Sequence, residues 1–271
     1  MISASIVLFN TDINYISNIK RILDGSCVQS VYWIDNSASD ILKSSVADGI
    51  HIYIKNKSNT GYGAAHNIGI KRAIDSGSKY HLVLNYDVDF DPVIIKELTG
   101  YIEEHTSVGL ISPKIFYPDG SIQYSCKLLP TPVDLFVRRF VPFESLKLRM
   151  AQKFELRFTK YNSIMLVPYL SGCFMLFRID ALKKTGLFDE KFFMYPEDID
   201  LTRRVNENYD TVFYPFCSIV HHHRKESYDS HKMLFIHVWN IIKYFNKWGW
   251  LFDRKRKVIN KKILKQLNYR R

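Results

Sequence analysis

The sequence predicts an α/β fold: a mostly parallel central sheet flanked by helices, with a helical extension at the C-terminus. Short apolar runs of strand length alternate with segments of helical period from residue 3 to residue 105, the pattern of parallel βαβ units with helices on both faces. Three of those runs lead into the polar clusters "DNSAS", "NTGYG" and "NYDVD", and ligands of such sheets bind beyond the carboxyl ends of the strands. With 46% hydrophobic and 14% aromatic residues, the 271-residue chain has material for a large core, which excludes a disordered protein.

In order, "ASIVLFN" is an apolar first strand ended by Asn10 and Thr11. In "DINYISNIKRILDG", Ile13, Ile16, Ile19 and Leu23 recur at helical spacing and Gly25 closes the helix. "SVYWIDNSASD" is a strand entering a polar turn, and "HIYIKN" a short alternating strand. "GYGAAHNIGIKRAIDSG" is a helix of small residues, and "HLVLNYD" a further buried strand. "DPVIIKELTGYIEEH" opens with Asp91 as N-cap and Pro92 in the first turn. From residue 114 the alternation breaks: "FYPDGSIQYSC" predicts a turn at Asp119–Gly120 inside a hairpin, and residues 130–168 are basic, aromatic and irregular. "YLSGCFMLFRID" returns to a strand, with "ALKKTG" a helix behind it, and "TVFYPFCSIV" is a strand that runs into His221, His222 and His223.

Cys27, Cys126, Cys173 and Cys217 are far apart with no C-x-x-C, as expected of free thiols in a reducing compartment and not of a zinc knuckle. "MISASIVLFN" lacks the basic start and apolar stretch of a signal peptide. The longest uncharged run, Tyr161 to Phe177, is broken by Pro168, Ser171 and Gly172, so no transmembrane helix is expected. The formal charge of +11 is concentrated in the tail: from Lys243 to Arg271 eleven Lys or Arg face one acid, Asp253.

Four clusters can carry chemistry. Asp87 and Asp89 form a D-x-D just past an apolar strand; on an extended chain alternate side chains project together, and hard oxygen ligands suit Mg²⁺ or Mn²⁺ carrying a diphosphate. The plainer alternative is an acidic turn ahead of the next helix. Gly61, Gly63 and Gly69, with Asn59, His66 and Asn67, lie around a helix start, where backbone N–H groups can approach a phosphate or sugar; tight helix–sheet packing explains the same glycines. One of the three histidines can complete a metal site or touch a diphosphate, or the run is an exposed strand end. In "FFMYPEDIDLTRR", Glu197, Asp198 and Asp200 follow an aromatic run. This is either an ordinary helix start or a catalytic carboxylate whose basicity is raised by apolar neighbours.

Together and in this order, "WIDNSASD", "NTGYGAAHNIGI", "LNYDVD", "DGSIQYSCKLLPTP", "LSGCFMLFRIDALKKTGLFDEKFFMYPEDIDLTRR" and "HHHRKES" resemble the family 2 glycosyltransferases of the GT-A fold, and within them the bacterial rhamnosyltransferase-like group. The resemblance spans roughly residues 3–230 and implies a transferase domain over 1–230, with 231–271 a basic, aromatic helical extension. It implies that Asp35, Asn36 and Ser37 bind the nucleotide, and that Asn59, Gly61, Asn67, Asn85 and Tyr86 line the nucleotide-sugar pocket. Asp87 is then the metal ligand, with Asp89 in reserve. By its spacing to Ser227, His222 is the metal or diphosphate histidine, though His221 and His223 leave that register open. Asp198 is the general base, and Glu197 contacts the acceptor or the base. The implied reaction inverts a sugar, best matched to L-rhamnose from dTDP-L-rhamnose, onto a lipid-linked glycan of O-antigen or capsule synthesis, with Mg²⁺ or Mn²⁺. A UDP-sugar donor (galactose, glucose or galactofuranose) and a catalytically silent carbohydrate-binding relative are the alternatives.

Beyond the resemblance, "MLFIHVWNIIKYFNKWGWLF" is rich in aromatics, and Ile259, Ile263 and Leu267 form one stripe of a basic helix. A basic amphipathic helix with interfacial Trp fits an anionic membrane surface, which would place the protein on the inner face of a bacterial plasma membrane. The alternatives are a helix packed on the domain and a dimer seam around residues 235–252. No nucleic-acid recognition motif accompanies the basic tail, and no nucleic acid is expected as partner.

Overall fold

The structure, a computed structural model of the chain, describes residues 1–135, 144–222 and 231–269. Along the chain the elements are β1 (Ile2–Leu8), α1 (Ile13–Asp24), β2 (Ser30–Asp35), α2 (Lys43–Val46), β3 (His51–Lys55), α3 (Tyr62–Asp75) and β4 (Tyr80–Leu84). Then come β5 (Val88–Asp89), α4 (Val93–Glu104), β6 (Val108–Phe116), β7 (Cys126–Lys127) and α5 (Glu144–Phe154). β8 (Met165–Leu166), β9 (Tyr169–Leu170), β10 (Phe174–Arg178), α6 (Ile179–Thr185) and α7 (Glu197–Asn206) follow. β11 (Asp210–His221), α8 (His231–Trp248) and α9 (Arg254–Gln266) complete the order.

The local signals act as expected. Asp12 caps α1, its carboxylate accepting from Asn14 N at 2.9 Å, and Gly25 ends it. Ile16, Ile19, Ile22 and Leu23 are buried, whereas Ile13 is exposed, so the apolar stripe starts one turn later than the spacing predicts. The Asp91 carboxylate accepts from Val93 N at 3.0 Å and organises the start of α4. Asp119 accepts from both the amide and the hydroxyl of Ser121, which fixes the turn after β6.

The main sheet runs β3-β2-β1-β4-β10-β6-β11-β5, with β8 alongside β11. β1, β2, β3 and β4 pair in parallel, as do β6 and β11. β10 enters between β4 and β6 and runs antiparallel to both. This reversal brings the N-terminal end of β10, Ser171–Cys173, to the same edge as the carboxyl ends of β2 and β4, and Asn85 N donates to Cys173 O at 3.0 Å. The core lies on both faces of the sheet.

The C-terminal helices pack on this body. Arg203 of α7 and Asp253, the N-cap of α9, form a buried bidentate pair at 2.6 and 2.9 Å, with Trp248 under the guanidinium at 3.9 Å. The Asn260 side chain bonds both backbone groups of Leu129 at 2.9 Å. Ile259, Ile263 and Leu267 face the domain and pack into its hydrophobic clusters. The stripe expected to lie on a membrane is therefore spent on intramolecular packing. Among the described residues, no helix is long and apolar enough to cross a membrane.

Candidate active site

A cavity of about 1140 Å³ opens at the carboxyl edge of the sheet, larger than a single small ligand needs. One side is lined by Asn36, Asn59, Gly61, Asn85, Tyr86 and Asp87; the other by Lys127, Glu197, Asp198 and apolar residues of α8.

Asp198 stands in the first turn of α7, where a carboxylate suits the helix dipole. Its Oδ1 accepts from Ile199 N at 2.7 Å and its Oδ2 from Gly172 N at 3.1 Å. The side chain is half-buried and lines the cavity. Burial pushes its carboxyl up to about 6, against the opposing pull of Lys127 and the backbone N–H groups. Glu197 beside it is buried, and burial together with the Asp198 charge raises it well above the usual carboxylate range. Its Oε2 accepts and donates no hydrogen bond among the described residues. Both adjacent carboxyl groups are thus raised, Asp198 to about 6, which brings it toward the range a general base requires.

Tyr62, at the start of α3, ties the two sides together. Its hydroxyl lies 2.9 Å from Asn85 Oδ1 and 2.7 Å from Gly172 O, donating to one of them at a time. Asn85 Nδ2 lies 3.3 Å from His221 Nε2. His221 Nδ1 donates to Gln123 Oε1 at 3.0 Å, which leaves Nε2 as the nitrogen turned toward Asp87 Oδ1, 3.4 Å away. Burial works against charge on His221, but Cys173 and Asp87 outweigh it and push the imidazole up to about 10. The pair holds a proton that a divalent cation would displace. Among the described residues no group of three or more His, Cys, Asp or Glu is arranged to hold a metal. One carboxylate and one imidazole nonetheless fit Mn²⁺ or Mg²⁺, because such ions take their remaining ligands from diphosphate oxygens and water.

Several expected site residues are placed elsewhere. The bend at Tyr86–Asp87 breaks the two-residue alternation, so Asp89 does not face the cavity with Asp87. Asp89 instead accepts from Asn18 Nδ2 at 2.6 Å and pairs with His222 Nε2 at 3.0 Å. His221, not the expected His222, is the histidine beside Asp87, because neighbours on a strand point to opposite faces; His223 lies outside the described residues. Asp35 is fully buried behind the cavity, accepting from Tyr53 OH at 2.6 Å and Ser37 N at 2.8 Å, and Ser37 accepts from Asn10 N. Asn67 is a clamp within the fold: it accepts from Phe188 N and donates to Phe188 O. Gly61 has φ +87°, and an added Cβ would overlap the Phe193 carbonyl, which already accepts from Tyr62 N at 2.9 Å. The glycine therefore serves loop-on-loop packing, and that amide is not open to a phosphate.

Tyr62, Gln123, Lys127 and Gly172 are site residues that the sequence reading did not single out. The signal for two of them was present, since Gln123 and Lys127 fall after residue 114, where the strand–helix alternation breaks.

No family model matches the chain. An N-acetylglucosaminyl-diphospho-decaprenol L-rhamnosyltransferase of Mycobacterium tuberculosis is 30% identical over 183 residues, covering 60% of this chain and 56% of that protein. A low-salt glycan biosynthesis hexosyltransferase, Agl10, of Haloferax volcanii is 31% identical over 180 residues, covering 65% and 53%. The chain thus spans about half the length of these curated relatives. Among solved structures, GalNAc-T7 with UDP, GalNAc and Mn²⁺ superposes with a TM-score of 0.61 at 14% identity, covering 83% of this chain and 44% of that one. The mannosyltransferase PcManGT of Pyrobaculum calidifontis with GDP-Man and Mn²⁺ gives 0.60 at 14%, covering 91% and 63%.

Proposed function

We propose that the chain is a family 2, rhamnosyltransferase-like glycosyltransferase, a reading supported by its two curated relatives and by its GT-A-like structural neighbours, and that it transfers a sugar with inversion from a nucleotide-sugar donor to a hydroxyl of a lipid-linked glycan. The donor of choice is dTDP-L-rhamnose, and the product belongs to surface polysaccharide, O-antigen or capsule, built at the inner face of the plasma membrane. The observation that carries this reading is Asp198: a carboxylate at the cavity wall, raised to about 6, beside a buried Glu197 that is also raised.

In the proposed reaction Asp198 accepts the proton of the acceptor hydroxyl. The hydroxyl oxygen bonds to the anomeric carbon from the face opposite the nucleotide, and the bond from that carbon to the diphosphate oxygen breaks. One displacement inverts the centre. Asn36, Asn59, Asn85 and Tyr86 take the nucleotide and its sugar, and neutral Glu197 donates a hydrogen bond to substrate. Asp87 and His221 would hold Mg²⁺ or Mn²⁺, which when bound offsets charge on the leaving diphosphate. Residues 1–230 would form the transferase unit, and 231–271 would complete the acceptor side of the cavity.

The test is nucleotide diphosphate release by the purified chain with Mg²⁺ or Mn²⁺, a panel of dTDP-, UDP- and GDP-sugars, and a lipid-linked glycan. Acceptor-dependent release from dTDP-rhamnose is the expected result. Release from a UDP-sugar, the nucleotide held by GalNAc-T7, keeps the mechanism and replaces the donor. Nucleotide binding with no release from any donor sinks the enzyme reading in favour of a silent binding protein.

A further inference from the structure

The packing of α9 leaves two surfaces uncovered at the same corner. The α8–α9 turn exposes Trp250, Leu251 and Phe252, the last two at 66% and 90%. α8 exposes Phe235 and Trp239, one turn apart, their rings parallel at 6.5 Å. The outer face of α9, opposite its buried Ile263, carries exposed Arg254, Lys257, Lys261, Lys262 and Lys265. From His231 to Tyr269 the chain has one acid, Asp253, and it is buried against Arg203. An exposed apolar tip bordered by unopposed cations is the surface chemistry of an interfacial anchor, apolar groups entering the acyl boundary and lysines meeting anionic headgroups.

The tip is also continuous with the cavity. Trp250 lines the cavity and packs against Phe245, ring centroids 5.1 Å apart and tilted by 35°, and Val238, Ile241 and Ile242 of α8 extend that apolar wall. A path of apolar side chains therefore leads from the exposed corner toward Asp198.

We propose that the α8–α9 corner docks on an anionic lipid bilayer, Leu251 and Phe252 entering the leaflet, the lysine face of α9 lying along it, and the apolar wall of α8 leading a lipid-borne acceptor from the leaflet to Asp198. The last step rests on the transferase reading; the docking does not. Cations bring the corner to the surface, and the tip holds it there. The apolar stripe of α9 takes no part, because the domain already covers it.

Flotation of the purified full chain with vesicles tests the docking. With equal parts phosphatidylcholine and phosphatidylglycerol the protein floats, high salt releases it, and pure phosphatidylcholine does not hold it. Leu251→Ser with Phe252→Ser lowers partition at least about tenfold, while both positions, being exposed, leave the melting temperature unchanged. Lys257→Gln, Lys261→Gln and Lys265→Gln each cost about fivefold on anionic vesicles. Equal partition of wild type and the Leu251/Phe252 variant overturns the proposal, as does equal binding to neutral and anionic vesicles. So does a stable dimer in solution that the variant disrupts while wild type ignores vesicles, which makes the corner a seam between copies. With a short-chain, water-soluble acceptor the variant releases nucleotide diphosphate as wild type does, and with acceptor embedded in vesicles it is slower. Vesicle binding without release from any donor leaves the docking surface standing and removes the transferase reading; release without vesicle binding does the reverse.

Discussion

Asp198 is useful as a base because the protein makes its charge costly in some measure, but not so costly that it stays protonated at neutral pH. Asp198→Asn keeps the shape, gives up one of the two backbone bonds from Ile199 N and Gly172 N, and cannot accept a proton, so kcat falls ~10²–10⁴-fold; a loss below tenfold would mean another group takes the proton. The sign of the pH dependence follows from the same residue. Its working form is the carboxylate, so the rate climbs as pH rises through about 6 and is flat above it. A rate that falls over that interval excludes Asp198 as base. The histidines separate in a metal titration. His221→Ala removes the imidazole beside Asp87 and raises the Mn²⁺ needed for half-maximal rate about tenfold or more, a typical loss for a metal-site group. His222→Ala breaks the contacts with Asp89 and the Tyr15 ring, not one with Asp87, and leaves that concentration in place; the opposite pattern assigns the metal to His222.

At the scale of elements, the site is a junction of loop ends. Tyr62 N bonds the Phe193 carbonyl, Tyr62 OH reaches Asn85 and Gly172, and Gly172 N holds Asp198. The start of α3 thereby links the ends of β4, β10 and α7. Gly61 is the position that permits this approach, with φ +87° and no space for a Cβ. Gly61→Ala combines left-handed strain of ~1–3 kcal/mol with a clash against backbone. A lowered urea midpoint together with a rate loss larger than the stability loss explains is the expected outcome; an unchanged midpoint means the two loops separate at no cost. The sequence announced that a glycine is needed at position 61, but the reason it offered, access to a phosphate, gave way to contact with a loop more than a hundred residues away.

For the whole molecule, the Arg203–Asp253 pair decides whether the C-terminal helices are an appendage or part of the body. Both side chains are buried, and the guanidinium also stacks on Trp248. Arg203→Ala leaves Asp253 buried without its partner and costs ~3–5 kcal/mol by urea denaturation, while Arg203→Met with Asp253→Leu recovers much of it. A cost below ~1 kcal/mol, the range of an exposed pair, would show that α8 and α9 detach freely.

Local pattern alone determined the α/β alternation, the helix end at Gly25 and the role of Asp91 at the start of α4, because each rests on spacing or on side-chain bonds within a few residues. Strand order was beyond its reach: β10 lies antiparallel between β4 and β6, a placement made by contacts far apart in the chain. So was the phase of the histidine run. Tyr214 of β11 pairs with Pro113 and Ser218 with Lys114, so β11 carries three extra residues there; an odd insertion moves every later side chain to the other face, so counting from the sequence could not choose between His221 and His222. The tail follows the same logic. Its stripe and its charge were plain in the sequence, but an apolar face goes to whichever surface covers it, and only tertiary packing decided that α9 gives its stripe to the domain and leaves the aromatic corner outside.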